Sequence, residues 1–391
     1  MWNKLAKITA ALIFSTALLC TQALAAQKPV KNIAGDKKDL YETTAESAVL
    51  MAADSGEVLF AKNPDKRLPM ASVTKLMTML LAVESVEQGK VTLKDKVVAS
   101  ENAWKMGGSQ IYLEPGEEFS FYEILIATAV GSANDASVAL AEHVEGSIEA
   151  FVAKMNERAR SLGCANTNFV NVTGLPAEGH YTSAMDLALL MKECINHPLF
   201  MKVSGIYEYD LRGGDFKLWN TNKLLKWYKG VDAGKTGWTN EAKYCLASTC
   251  ERDKLRLIAV VLGSPEPKSH FRESIKLYNY GYARYKAVCL EDRDKVVKSV
   301  KVDKGTLDDV GLKTSDKVLV IVKKGDDKGF EGRIEAPDRV PAPLNKGQKV
   351  GDYVVTKNGI EVKRVPLVAT TGVPRRSIAQ QINKTLRGII Q

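Results

Sequence analysis

The sequence is poor in residues that usually bind metals. It contains only four histidines in 391 residues, and none is spaced as a metal ligand would be. It also lacks a glycine-rich phosphate loop and a Gly-x-Ser-x-Gly nucleophile elbow, which argues against a nucleotide-binding protein and an α/β-hydrolase. We therefore predict neither a metal site nor an organic cofactor.

Cysteine is scarce as well, with six in the chain. One of them, Cys20, falls in a segment that we expect to be removed, and the others are Cys164, Cys194, Cys245, Cys250 and Cys289. An odd number without zinc-like spacing indicates mostly buried free thiols, so no disulfide is predicted. Cys245 and Cys250 lie in one predicted strand, five residues apart, and should point to opposite faces.

The positive charge is unevenly distributed. The whole chain carries a formal net charge of +9, and the part from Cys289 onward has 21 Lys and Arg against 14 Asp and Glu. The preceding part is therefore close to neutral once the N-terminal segment is removed. A near-zero net charge disfavours nucleic-acid binding by the part of the chain before Cys289. The basic end either faces an anionic surface or is simply a solvated basic face.

The N-terminus has the pattern of a secretory signal peptide. Lys4 and Lys7 precede the apolar run Ile8 to Cys20, and Ala23-Leu24-Ala25 fits the small-x-small cleavage rule. The run is too short for a comfortable membrane span. We expect residues 1–25 to be removed and the mature protein to be exported to the periplasm or to the outer face of the cytoplasmic membrane.

The next 260 or so residues read as strands at both ends with helices between them. Apolar runs predict one hairpin near the start and a second around the turn from Cys250 to Lys254. Helical periodicity predicts helices at Lys75–Val86, Phe121–Val130, Val138–His143, Ile148–Leu162, Ser183–Ile195 and Lys268–Tyr285. This order favours an α+β domain with one antiparallel sheet and flanking helices.

Beyond Cys289 the pattern changes to short apolar runs separated by Gly- and Asp-rich turns, which predicts a small all-β domain. From Pro374 the pattern is helical again, with Ile378, Ile382 and Leu386 on one face. This amphipathic helix either lies on an anionic membrane surface or packs on its own protein; we favour the membrane. The predicted divisions are 1–25, 26–288, 289–372 and 373–391.

Three short motifs carry candidate chemistry. In the first, Ser72 and Lys75 lie three residues apart at the start of an apolar helix and so share one face. A serine hydroxyl needs a base within hydrogen-bond reach, and lysine can serve if burial and a second cation depress its pKa. The pattern is weak alone because chance matches are expected, although this chain contains only one.

The second motif places Ser132 and Asn134 in a loop after a helix, where they could relay a proton or merely cap a helix. The third, Lys235-Thr236-Gly237, precedes a strand. A cation and a hydroxyl on a strand edge suit a substrate carboxylate, and glycine lets a substrate lie along the edge. Lys235 would also keep Lys75 neutral. The decoy Lys313-Thr314 lacks the glycine.

The combination of the three motifs, in this order and spacing, is typical of β-lactamases and penicillin-binding proteins. The chain resembles the D-alanyl-D-alanine carboxypeptidases, the low-molecular-mass penicillin-binding proteins, over about residues 40 to 370. Supporting segments are residues 71–78, 131–136, 167–175, 183–188 and 230–239. The resemblance implies a β-lactamase/DD-peptidase-like fold and a small β domain.

The resemblance also implies roles for individual residues. Ser72 would attack the carbonyl between two terminal D-alanines of a peptidoglycan stem peptide, and Lys75 would take its proton. Ser132 and Asn134 would pass a proton to the leaving amine. Lys235 and Thr236 would hold the terminal carboxylate, Gly237 would let the substrate backbone come close, and the N–H groups of Ser72 and Trp238 would form the oxyanion hole. β-Lactam antibiotics would acylate Ser72.

Two positions depart from the family pattern. After Lys-Thr-Gly, family members often carry an aromatic residue or histidine, and Trp238 is bulky but tolerable there. In the helix after the last core strand many have an arginine, near where this chain has His270. Rival functions share the motifs: a serine β-lactamase, a DD-endopeptidase or transpeptidase, and a catalytically idle penicillin-binding wall sensor. The lifetime of the penicillin acyl-enzyme and the release of D-alanine would separate them.

Overall fold

The computed structural model describes residues 42–382. The predicted signal peptide and the predicted tail helix beyond residue 382 lie outside the described residues. The strands of the first domain are β1 (Ser47–Ala52), β2 (Val58–Lys62), β3 (Lys96–Val98), β4 (Glu118–Ser120), β5 (Glu208–Leu211), β6 (Phe216–Trp219), β7 (Val231–Thr239), β8 (Lys243–Arg252) and β9 (Leu255–Ser264). Its helices are α1 (Lys75–Glu87), α2 (Glu101–Trp104), α3 (Phe121–Ile126), α4 (Asn134–Glu145), α5 (Ile148–Ser161), α6 (Ala184–Cys194), α7 (Pro198–Ser204), α8 (Leu224–Trp227) and α9 (Ser269–Arg284).

The five strands β2, β1, β9, β8 and β7 form, in that order, an antiparallel sheet. Both predicted hairpins belong to it. The β8–β9 turn is shorter than expected, because β8 continues through Arg252 and leaves only Asp253 and Lys254 between the strands. Both turn residues are left-handed, with φ of 50° and 64°, which matches the twist of a tight hairpin.

The two faces of the sheet are covered by different elements. Alternate residues of a strand point to opposite faces: on β9, Val260 joins the larger core with the helices α1, α3, α4 and α6, whereas Ala259 packs in a second core with Tyr278 of α9. Cys245 and Cys250 separate in the same way. All five cysteines of the described part are free thiols, as predicted.

The predicted helices are present, with differences at their ends. α4 begins at Asn134, four residues before the predicted start, and α3 ends at Ile126 and passes into a wide π turn over residues 127–131. The β3–β4 and β5–β6 pairs were not predicted. Each of their strands has only three or four residues, too few for alternation to stand out in the sequence.

The C-terminal part contains only strands between residues 285 and 369: β10 (Tyr285–Glu291), β11 (Val296–Asp303), β12 (Asp309–Thr314), β13 (Val318–Lys323), β14 (Phe330–Glu335), β15 (Arg339–Pro341), β16 (Lys349–Lys357) and β17 (Ile360–Ala369). Six of these form one sheet over a separate apolar core, and β10 pairs with β13. The α+β class with a following all-β domain is confirmed. The predicted division at residue 289 falls inside β10.

The start of the predicted tail helix is visible. Residues 378–382 are helical, and Ile378 and Ile382 expose 82% and 55% of their surface. In the part of the chain that the structure describes, no helix has the length and apolar character needed to cross a bilayer.

Candidate active site

Ser72 lies in a tight 3-10 turn, Ala71–Thr74, that leads directly into α1. It is partly buried, whereas Lys75, at the first position of α1, is fully buried. The turn and the helix place Lys75 Nζ 2.9 Å from Ser72 Oγ. The nucleophile and base proposed from the first motif are therefore in direct contact.

The other two partners of Lys75 fix its orientation. Its Nζ lies 2.7 Å from Asn134 Oδ1 and 2.7 Å from the carbonyl oxygen of Thr173. Both oxygens can only accept hydrogen bonds. In a neutral amine, two N–H groups therefore point to these oxygens and the lone pair points to the Ser72 hydroxyl, which can donate. The arrangement suits a general base.

Asn134 is itself held in place from the opposite side. Its amide nitrogen donates to the carbonyl of Gly107 at 2.6 Å, which turns Oδ1 toward Lys75. The neighbouring Asp135 carboxylate accepts the N–H groups of Ile111 and Leu113. The α4 N-terminus thus ties down the loop that covers this side of the site.

Ser132 occupies the turn between the π-helical segment and α4. It is buried, and its backbone is left-handed with φ of 58°. In residues 42–382 no hydrogen bond joins its hydroxyl to Ser72 or Lys75. The structure thus joins Ser72, Lys75 and Asn134 by hydrogen bonds. Ser132, two residues before Asn134, is not hydrogen-bonded to Ser72 or Lys75 in this described part.

A short chain of hydrogen bonds, from Val170 through His180 and Thr74 to Ala71, stabilises the Ser72 turn. The Val170 N–H donates to His180 Nδ1, so His180 carries its proton on Nε2, 2.8 Å from Thr74 Oγ1. Thr74 in turn donates to the carbonyl of Ala71. Burial lowers the pKa of His180 to about 4, so the ring stays neutral and the chain is intact at neutral pH.

β7 is the edge strand of the sheet, and its free side faces the Ser72 turn. A Cβ added at Gly237 would lie 2.6 Å from the Met70 carbonyl oxygen and 2.9 Å from the Ser72 nitrogen, so only glycine fits. Next to it, Trp238 is 55% exposed. The third motif therefore lies alongside the first, as its predicted role requires.

Lys235 is buried, and its Nζ donates to the Thr236 carbonyl at 3.0 Å. Burial lowers the pKa of Lys235 to about 7. Burial, and then the charge of Lys235, lower the pKa of Lys75 well below its ordinary value, against a smaller opposing effect of Asp135. No carboxylate in the described part forms an ion pair with either lysine, so Asp135 offsets only part of the effect of burial and of the Lys235 charge on the pKa of Lys75.

His270, which the sequence comparison placed near the family's usual arginine, is buried, and its ring stacks on Tyr244 with centroids 5.4 Å apart. Burial lowers its pKa to about 4. The ring is therefore neutral at pH 7, and this position supplies no positive charge for a substrate carboxylate.

Several residues of the site could not be singled out from the sequence. Thr173 contributes through its backbone carbonyl, which any residue type would supply. Gly174 has φ of +86°, and a Cβ there would lie 1.9 Å from the Ala71 carbonyl oxygen. Asp135 accepts N–H groups of Ile111 and Leu113, 24 and 22 residues away, and His180 bonds the Thr74 hydroxyl, 106 residues away. Only the family resemblance points to the segment around Thr173-Gly174.

Comparison with known proteins identifies the family. The sequence profile described as D-alanyl-D-alanine carboxypeptidase matches residues 32–266, and that of the penicillin-binding protein 5 C-terminal domain matches residues 285–375. The chain belongs to the D-alanyl-D-alanine carboxypeptidase family. The resemblance that the three motifs suggested is therefore confirmed.

Individual relatives in this carboxypeptidase family match along most of their length. D-alanyl-D-alanine carboxypeptidase DacF of Bacillus subtilis is 43% identical over 346 residues, covering 88% of this chain and 89% of the relative. Penicillin-binding protein 5 of Haemophilus influenzae has 32% identity and a TM-score of 0.69, and the match covers 86% of this chain and 99% of that protein's chain. Penicillin-binding protein D2 of Listeria monocytogenes in its ampicillin-bound form has 30% identity and a TM-score of 0.57. This match covers 62% of this chain and 100% of that protein's chain.

Gly174→Ala should disrupt the site because its Cβ would collide with the Ala71 carbonyl and displace the Ser72 turn. Small displacements at a reacting centre cost rates heavily, so we expect labelling by fluorescent penicillin to slow roughly 100-fold. The matched control is Gly163→Ala, which has a similar φ of +79° with nothing within 4 Å. The control should lose some thermal stability but label at the wild-type rate; equal labelling of both variants would contradict the account.

Proposed function

We propose that the chain removes the terminal D-alanine from peptidoglycan stem peptides through an acyl-enzyme on Ser72. The family gives the chain a D-alanyl-D-alanine carboxypeptidase function in peptidoglycan metabolism. The serine mechanism is supported chiefly by one observation, the buried Lys75 amine 2.9 Å from the Ser72 hydroxyl.

The acylation step begins with proton transfer from the Ser72 hydroxyl to neutral Lys75. The Ser72 oxygen forms a bond to the carbonyl carbon of the penultimate D-alanine, and the C–N bond to the terminal D-alanine breaks. The leaving amine takes up a proton, which Lys75 gives back directly or through Ser132. Water then hydrolyses the ester, which releases the shortened peptide and restores Ser72.

Recognition of the terminal carboxylate is assigned to Lys235 and the Thr236 hydroxyl. In the described part, the Thr236 carbonyl is the one acceptor bonded to Lys235 Nζ, so a charged amine has further N–H groups to offer an anion. The developing oxyanion is assigned to the N–H groups of Ser72 and Trp238. One such donor contributes about 3 kcal/mol to transition-state stabilisation.

The β-lactamase alternative is disfavoured by the surroundings of Ser72. A β-lactamase needs a base that activates water against the acyl-enzyme, and within residues 42–382 no carboxylate is hydrogen-bonded to Ser72 or Lys75. The nearby Asp135 carboxylate is engaged with backbone N–H groups. We propose that β-lactams acylate Ser72 and that water hydrolyses the resulting acyl-enzyme slowly, since a Listeria relative was solved in ampicillin- and cefotaxime-bound forms.

Ser72→Ala should abolish both D-alanine release from a pentapeptide and covalent uptake of labelled penicillin. Lys235→Ala should lower the rate of D-alanine release roughly 100-fold or more because a buried charged contact to the substrate is lost. The control is Lys313→Ala, which removes the partly buried lysine of the decoy motif, paired with Asp294 in the β domain, and should leave D-alanine release intact. Penicillin bound covalently to the Ser72→Ala protein would refute the mechanism.

The rate constant for penicillin acylation should pass through a maximum with pH. It should fall on the acid side because Lys75 becomes protonated, and on the alkaline side because Lys235 loses its proton near its pKa of about 7. Lys235→Gln removes the repulsion, so the pKa of Lys75 rises and the acid limb shifts to higher pH, while the alkaline limb disappears. Measurements from about pH 5 to about pH 9 test this; a wild-type rate independent of pH would contradict it.

We also propose that the protein is exported by residues 1–25 and held at the outer face of the membrane by residues 373–391. The exposed Ile378 and Ile382 support this, as does the extracytoplasmic position of peptidoglycan. In fractionated cells the full chain should sediment with membranes, beginning at Ala26, whereas a chain ending at Ser377, which keeps the buried Val373 of the β domain, should be soluble. Membrane association of the shortened chain would contradict the proposal.

A further inference from the structure

A groove of about 370 Å³ opens beside the Ser72 turn, outside the group formed by Ser72, Lys75 and Asn134. One wall consists of residues 69–71 together with the loop 174–178, and the other is formed by Thr239 and Glu241 at the end of β7. The groove is large enough for one long side chain. Its lining includes two acidic residues, Glu178 and Glu241.

The direction of β7 shows which part of a substrate would reach this groove. Along the strand, Lys235 and Thr236 come first, Gly237 lies against the Ser72 nitrogen, and Thr239 comes last. A peptide lying along this edge with its terminal carboxylate at Lys235 has its reacting carbonyl beside Ser72. The preceding residues must then continue toward Thr239, at about 3.3–3.6 Å per residue.

The residue before the penultimate D-alanine is therefore the one whose side chain meets the groove. In a pentapeptide stem this is the third residue. Its Cα lies about 3.8 Å from that of the acylating D-alanine, so a side chain of four or five bonds extends well into the groove. The terminal D-alanine lies on the other side of Ser72 and does not enter it.

The charge of the groove is negative. Glu178 and Glu241 are exposed, and neither forms an ion pair in the part of the chain that the structure describes. The remaining titratable residue of the lining is His180, which burial keeps neutral at pH 7. Met70, Leu175 and other apolar groups make up most of the remaining lining.

We propose that this groove binds the side chain of the third stem residue and that Glu178 and Glu241 select a side chain ending in a protonated amine. The apolar wall takes the methylene groups of that side chain, and the carboxylates meet its charged end. The inference rests on the proposed function, because it uses the substrate path that the function requires.

The test compares two peptides that differ only in the functional group at the end of the lysine side chain. Both are Nα-acetyl-L-Lys-D-Ala-D-Ala, one with a free side-chain amine and one with that amine acetylated. For the wild type, kcat/KM for D-alanine release should favour the free amine by about three- to tenfold, because the carboxylates are exposed and partly screened. The Glu178→Gln/Glu241→Gln protein should show a ratio near one.

A matched control is Glu331→Gln, which removes one exposed negative charge on β14, far along the chain in the β domain. It should keep the wild-type ratio, and added salt should reduce the wild-type preference toward one. Thermal unfolding of the double variant checks that it is folded. A preference that survives in the folded double variant would overturn the role of the carboxylates.

Failure of this inference can be told apart from failure of the proposed function. A wild-type protein that is acylated by penicillin and hydrolyses both peptides equally overturns the groove assignment alone. A wild-type protein that neither binds penicillin covalently nor releases D-alanine overturns the proposed function, and the groove assignment with it.

Discussion

The site depends on two lysine amines that are buried close to each other, and within residues 42–382 neither forms an ion pair with an anion. Water normally stabilises a charged amine, so burial of Lys75 and Lys235 favours their neutral forms, and their mutual repulsion adds to the effect on Lys75. Lysine at its ordinary pKa of about 10.4 would be a protonated and useless base at neutral pH. In the mechanism that we propose, the two residues have different tasks: Lys75 acts as a neutral base, whereas Lys235, with a pKa of about 7, keeps enough charge to attract a carboxylate.

The scaffold around these lysines consists of backbone contacts that few side chains would permit. Gly174 lets the loop bearing the Thr173 carbonyl approach Ala71, and Gly237 lets the edge strand approach the Ser72 nitrogen. Asp135 fixes the loop whose Gly107 carbonyl orients Asn134. Three segments far apart in the sequence therefore meet at Ser72, and each is held by contacts that restrict its backbone. A hydroxyl and an amine alone, three residues apart on any helix, would not reproduce this environment.

Much of the fold was predictable from the sequence because its strands and helices are long and strongly apolar. Both hairpins of the sheet, α1, α5 and the β domain show clear periodicity. The short strands β3 to β6 do not, and the π turn before Ser132 depends on tertiary contacts rather than on local preference. In the site, the motif residues could be named because their side chains carry the chemistry. Thr173, Gly174 and His180 could not be derived in this way, because they act through backbone groups or through distant partners that the sequence does not place.

The neutral state of Lys75 is the central claim, and direct titration of its amine tests it most closely. NMR of the protein labelled with ¹³C and ¹⁵N in lysine side chains would follow each Nζ group with pH, and a Lys75→Arg variant would assign the signal. The account predicts that the Lys75 amine titrates well below the other lysines and that its pKa rises when Lys235 is replaced by glutamine. A Lys75 amine that titrates with the exposed lysines, at about 10.4, would contradict it.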